Sequence, residues 1–128
     1  MYLEINIENG SIASEAGLFC KWINQHQPSI EVKLPANQPK LKLNDSSLIL
    51  PLVTLISEPD LLNYLNLTVE YLNFKFRGDL ATDKNEVSVR CHIKDSQTGT
   101  EKIFEFKGPE SLYREKVGSF NLNEFFKD

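Results

Sequence analysis

Val87-Ser88-Val89-Arg90-Cys91-His92-Ile93-Lys94 alternates apolar and polar side chains without interruption, and the rest of the chain is read outward from it. Successive side chains of a β-strand point to opposite faces, so Val87, Val89, Cys91 and Ile93 share one face and Ser88, Arg90, His92 and Lys94 the other. This pattern marks a sheet covered on one side only. Asp95 to Thr100 holds Gly99 among turn-forming residues, and Lys102 to Lys107 resumes the alternation with Phe104 and Phe106 on one face. The two runs therefore make a hairpin.

Downstream, Gly108-Pro109-Glu110-Ser111 launches a short helix carrying Leu112, Tyr113 and Val117. Residues 118–128 retain Phe120, Leu122, Phe125 and Phe126, too aromatic for a solvated terminus, so this tail is expected to dock on the domain or on a partner. Upstream, Ser57-Glu58-Pro59-Asp60 is a helix-start signal with Ser57 as the cap. Leu61, Leu62, Leu65, Val69, Leu72 and Phe76 keep helical spacing behind it, and Gly78-Asp79 stops the helix before a loop over 80–85. The apolar run Leu48 to Ile56 suits a buried strand or a short helix with Pro51 in its first turn. The helix is the preferred expectation.

At the N-terminus, Leu3, Ile5 and Ile7 alternate with Glu4, Asn6 and Glu8, giving a strand over 2–8. Asn9-Gly10-Ser11 breaks it and offers a cap for an amphipathic helix through Ile12, Ala16, Phe19, Cys20 and Ile23, which ends at Gln27-Pro28. Ile30, Val32 and Leu34 form a second short strand. A strand, helix and strand in close succession imply a right-handed crossover between parallel strands. Residues 35–47, rich in Pro and Asn, read as one long loop.

The chain of 128 residues, 41% of them hydrophobic, has the size and composition of a single domain spanning residues 1–128. Its fold class is α+β, a two-layer sandwich in which helices cover one face of a mixed four-stranded sheet in the order β-α-β-α-β-β-α. Cys20 and Cys91 are the only cysteines and stand in no zinc or redox spacing. Residues Met1 to Ile7 lack the basic start and apolar stretch of a secretory signal, so a cytoplasmic location is expected. No apolar run approaches the ~20 residues of a membrane span. A net charge of −4 disfavours nucleic acid and anionic membranes as partners.

Reactive groups are few. His26 and His92 are the only histidines. Cys91 and His92, adjacent on one strand, point to opposite faces and so do not form a nucleophile and its base. No metal-ligand spacing, phosphate-binding glycine motif or nucleophile elbow is present, so neither catalytic nor metal residues nor a cofactor are expected. Arg90, His92 and Lys94, with Glu105 and Lys107 of the hairpin partner, form a polar, partly basic face that would suit an acidic peptide or phosphate. An ordinary solvated sheet face is the plainer reading. Trp22, beside Leu18 on the shoulder of the first helix, suits either an interface anchor or core packing. With Phe125 and Phe126 of the tail, these residues are the candidate binding set.

Leu18-Phe19-Cys20-Lys21-Trp22-Ile23 resembles the Leu-x-x-x-Trp-Leu signature in the first helix of the effector-associated constant component family, and 48–117 resembles its apolar helix, hairpin and final short helix. A Pro/Asn loop at 35–47 stands where that family has a Gly-rich segment. The resemblance implies a non-catalytic accessory domain encoded beside an effector of a bacterial conflict system. The leading expectation is thus a protein-interaction module, monomeric or homodimeric, with another protein as its partner. The alternatives are an acidic inhibitor or immunity protein that masks a basic toxin, and a small enzyme built on Arg90, His92 and Lys94.

Overall fold

Buried Leu3 and Ile5 alternate with half-buried Tyr2 and Glu4 to make β1 (Tyr2–Ile5). The computed structural model describes residues 1–35, 40–41, 47–76 and 85–127. The strand ends before the expected Glu8, and Ile7 is 45% exposed instead of facing inward. Asn9-Gly10 supplies the reason. Both residues have positive φ, 51° and 80°, as a two-residue hairpin turn of the mirror-image class requires. Glu8 and Ser11 close this turn with reciprocal backbone hydrogen bonds of 2.8 and 3.0 Å.

The chain then continues as β2 (Ile12–Ala13), parallel to β4 (Lys40–Leu41). The helix expected from Ser11 starts only at Ala16. This α1 (Ala16–His26) buries Ala16, Phe19, Trp22 and Ile23, at the three- and four-residue steps of one helical face. It leads to β3 (Glu31–Lys33), which pairs in parallel with β1 in the register Leu3↔Val32, so the first strand–helix–strand unit is present. Within the loop expected at 35–47, Lys40 and Leu41 form β4, while 36–39 and 42–46 lie outside the described residues.

The helix expected over 48–56 is not formed. Two short strands stand there, β5 (Ser47–Ile49) and β6 (Val53–Leu55), and both pair in parallel with β7 (Glu86–Asp95). Pro51 falls between them, where no ladder hydrogen bond needs its missing N–H. The flanking residues keep the ladder continuous, Leu50 N–H donating to Ser88 O at 3.0 Å and Asn6 N–H to Leu52 O at 2.8 Å. Because β6 lies between β1 and β7, it is a central strand, and Val53 and Leu55 point into the core while Thr54 between them is half-buried on the other face.

A turn at Ser57 and Glu58 leads into α2 (Asp60–Lys75). Its N-cap is Pro59 and not Ser57. Leu61, Tyr64, Leu65, Leu67, Thr68, Tyr71 and Leu72 are its buried residues, so Tyr64 and Tyr71 join the expected stripe, of which Leu62, Val69 and Phe76 are only half-buried. The stop expected at Gly78-Asp79 and all of the loop expected over 80–85 except Asn85 lie outside the described residues. β7 turns back through 96–99 into β8 (Thr100–Pro109), the predicted hairpin, in one uninterrupted register from Glu86↔Pro109 to Asp95↔Thr100. α3 (Glu110–Gly118) and a single turn, α4 (Leu122–Phe125), complete the chain.

The main sheet has six strands instead of the expected four, in the order β3-β1-β6-β7 with β5 and β8 also on β7. It is mixed, and the fold is α+β. Inward residues of β1, β5, β6, β7 and β8 join the buried faces of α1, α2 and α3 in one core cluster, so the helices lie on one face. No helix among the described residues is long and apolar enough to cross a membrane.

Candidate functional site

Residues that alternate outward on β7 give the face opposite the helices its chemistry. Arg90, His92 and Lys94 do share that face, directly opposite Glu105, Ile103 and Glu101 of β8. Carboxylates stand beside two of the three. Arg90 makes a bidentate ion pair with Glu8, in which Nη2 donates to Oε2 at 2.7 Å. The Asn9-Gly10 turn holds Glu8 in position for this pair, next to a cleft of about 410 Å³ bounded by Ser11, Ile12, Ile49 and Arg90. His92 Nε2 lies 3.2 Å from Glu101 Oε1. Lys94 is exposed. Lys107 Nζ is 4.0 Å from Glu86, and both side chains are largely in solvent. Surface pairs of this kind stabilise little and present no net positive field to an anionic ligand.

Behind the sheet, Cys91 is fully buried, and burial pushes its thiol up to about 12. Burial also raises the Cys20 thiol, against a smaller opposing effect of the Asn24 hydrogen bond. Both thiols are free and protonated at neutral pH, hence poor nucleophiles. Tyr64 is completely buried, and its hydroxyl has no hydrogen-bond partner among the described residues. No group of three or more His, Cys, Asp or Glu that could hold a metal ion occurs among the described residues.

Trp22 belongs to the core. It is 6% exposed, with its ring against Tyr71 at 5.2 Å and stacked on His26 at 5.1 Å. It is therefore not the exposed anchor that one of its sequence readings allowed. Leu18, beside it, is 57% exposed.

The tail aromatics gather at the other end of the sheet. Phe104 of β8 meets Phe120 at 5.8 Å and Phe125 at 6.1 Å, and Phe126 stands edge-on to Phe125 at 5.0 Å. Lys102 caps this cluster by donating to Phe125 O and lying 4.8 Å from the Phe125 ring centroid. Lys116 covers Phe104 at 5.8 Å. A groove of about 510 Å³ remains between β8 and the tail, bounded by Ile103, Phe104, Glu105, Phe120 and Phe125. Side chains of both sheet faces line it, so it runs along the edge of β8.

Hydrogen-bond direction shows which β8 residues face that edge. Ser88 O accepts from Leu50 on the β5 side. Peptide groups alternate along a strand, so Val89 and Cys91 face β8 and exchange hydrogen bonds with Phe106 and Phe104. Glu101, Ile103, Glu105 and Lys107 consequently point their N–H and C=O groups away from β7. Among the described residues β8 pairs with no other strand. Sequence reading missed Ile103 because a 58%-exposed isoleucine inside a strand has no signature before its neighbours are known. It also missed Glu8 and Glu101, the partners of Arg90 and His92, since both pairs form only in the folded sheet. Comparison of the chain with protein-family models, curated proteins and solved structures finds no match.

Proposed function

We propose that this chain is a non-catalytic protein-interaction module that accepts an extended segment of a partner along the free edge of β8. The observation that carries this reading is the meeting of outward peptide groups at Glu101, Ile103, Glu105 and Lys107 with a groove of about 510 Å³ whose apolar wall is Ile103, Phe104, Phe120 and Phe125 and whose polar rim includes Lys116 and Glu124. Strand addition uses such an arrangement, main-chain hydrogen bonds giving affinity and a side-chain pocket giving selectivity. Phe120 and Phe125 would receive one apolar side chain of the segment, and Ile103 would touch the next on the open face. Phe125 thereby acts in the groove wall, and Phe126 supports it edge-on from outside the groove. Arg90 and His92, already held by Glu8 and Glu101, act as structural pairs of the open face, which weighs against reading that face as an enzyme site.

The two free cysteines fit a reducing cytoplasm, and the family resemblance supports a place beside a bacterial conflict effector. The test is selection from a random-peptide display library, with Ile103→Pro as the control. Proline at 103 removes an outward N–H and leaves the β7 ladder intact. Wild-type protein should enrich extended apolar peptides whose binding slows amide exchange at Ile103 and Glu105, and Ile103→Pro should lose them. Binders that hold the variant equally well would refute the reading.

A further inference from the structure

β8 itself is a segment whose charges match this edge. We infer that two copies of the chain pair β8 against β8 about a two-fold axis through Phe104, joining their sheets into one. This rests on the binding edge proposed above.

Charged side chains on an edge strand normally prevent strand addition. In β8 they favour the one self-pairing that sets all four outward residues of each copy opposite one another. In an antiparallel pair the residues with outward peptide groups, Glu101, Ile103, Glu105 and Lys107, must face one another. With the axis at Phe104, Glu101 lies opposite Lys107 of the second copy and Lys107 opposite its Glu101, while Ile103 lies opposite Glu105. A slide by two residues one way sets Glu101 against Glu105. The same slide the other way sets Glu105 against itself. Like charges directly opposite disfavour both registers. A slide of four residues toward Pro109 restores opposite charges but sets Ile103 against a residue with no N–H to give. The groove is bounded by Ile103, Phe104 and Glu105, so it is centred where the axis falls, an observation independent of the charge pattern. Phe104 would meet its copy there at a close, non-hydrogen-bonded position, with Phe120 and Phe125 of both chains around it.

The experiment is sedimentation velocity on the full chain over a concentration series. Wild type is expected to show a monomer–dimer equilibrium. Glu101→Lys and Lys107→Glu should each weaken dimerisation by roughly tenfold or more, since symmetry places two like-charged pairs in the interface. The double variant Glu101→Lys/Lys107→Glu should restore it. Both side chains are largely exposed, 68% and 74%, so the swaps leave the monomer folded, which circular dichroism checks. A wild-type chain that is monomeric throughout, or a dimer indifferent to the single swaps, overturns the inference. If that monomeric chain still selects peptides that Ile103→Pro loses, the binding edge stands and only its occupant changes. If it selects none, both readings fall.

Discussion

Replacing Trp22 by alanine should destabilise the protein severely. Trp22 is the only tryptophan in the chain and is 6% exposed, packed against Tyr71, His26 and Phe74 at centroid distances of 5.2, 5.1 and 6.4 Å. An indole buries about 150–250 Å², which at about 25 cal/mol per Å² corresponds to roughly 4–6 kcal/mol for complete removal. The β-carbon remains and the cavity partly relaxes, so a loss of about 3–5 kcal/mol is expected. Unfolding entropy of about 2.1 cal/mol/K per residue over the chain converts about 4 kcal/mol into a melting temperature lower by roughly 15 °C. Far-UV circular dichroism is the assay, because the substitution removes the fluorophore. Wild-type fluorescence gives an independent check, since emission should be blue-shifted in the native state and move red on unfolding. Should Trp22→Ala fail to fold, Trp22→Phe should fold with a smaller loss. A loss within the ~0.5 kcal/mol typical of a surface site would refute the packing argument, as would native emission already at the solvent-exposed position.

Tyr64→Phe should raise stability by about 1–3 kcal/mol, because it deletes a buried hydroxyl with no partner among the described residues. Tyr113→Phe should lower stability by about 1 kcal/mol, because its hydroxyl shares a 2.6 Å hydrogen bond with Thr68. Urea titration of both variants reads the sign, and two shifts in the same direction would contradict the assignment. Arg114→Met should cost about 2–4 kcal/mol by leaving the buried Glu110 carboxylate without its 2.7 Å partner, and Glu110→Gln in the same chain should recover most of that loss. Equal midpoints for the single and double variants would show that the pair does not matter. Asp95 accepts backbone hydrogen bonds from Glu58, Gln97 and Thr98, and that from Glu58 is the main reason its carboxyl lies below the ordinary range, against a partial offset from burial. A lowered folded-state value means that its stabilisation is complete above the unfolded value near ~4 and fades as pH falls through the folded one. The urea midpoints of wild type and Asp95→Asn should therefore differ at pH 7 and converge below about pH 4. A gap that is constant over that range would show that the charge plays no part.

How much of this was legible depended on the range over which each feature is decided. The hairpin of β7 and β8, the α1 and α2 stripes and the parallel pairing of β1 with β3 follow from periodicities within short windows. Asn9-Gly10 carried a legible signal too, the dipeptide of a two-residue turn, but read as a helix cap it moved the start of α1 upstream. Leu48 to Ile56 was not legible, because a short apolar run is compatible with either element until its neighbours are known. For the candidate site, the outward set of Arg90, His92 and Lys94 was readable, whereas the pairing of Arg90 with Glu8 and of His92 with Glu101 was not.

By itself the amino-acid order determined which side chains share a face, since that depends only on the rise and twist between adjacent residues. The tertiary structure decided how β5 and β6 join β1 and β7, and with them that Pro51 sits harmlessly between two paired segments, that Trp22 is inside and that, among the described residues, β8 pairs along one edge only. Those outcomes depend on contacts between residues distant in the chain, such as Glu8 with Arg90, and no local pattern encodes them.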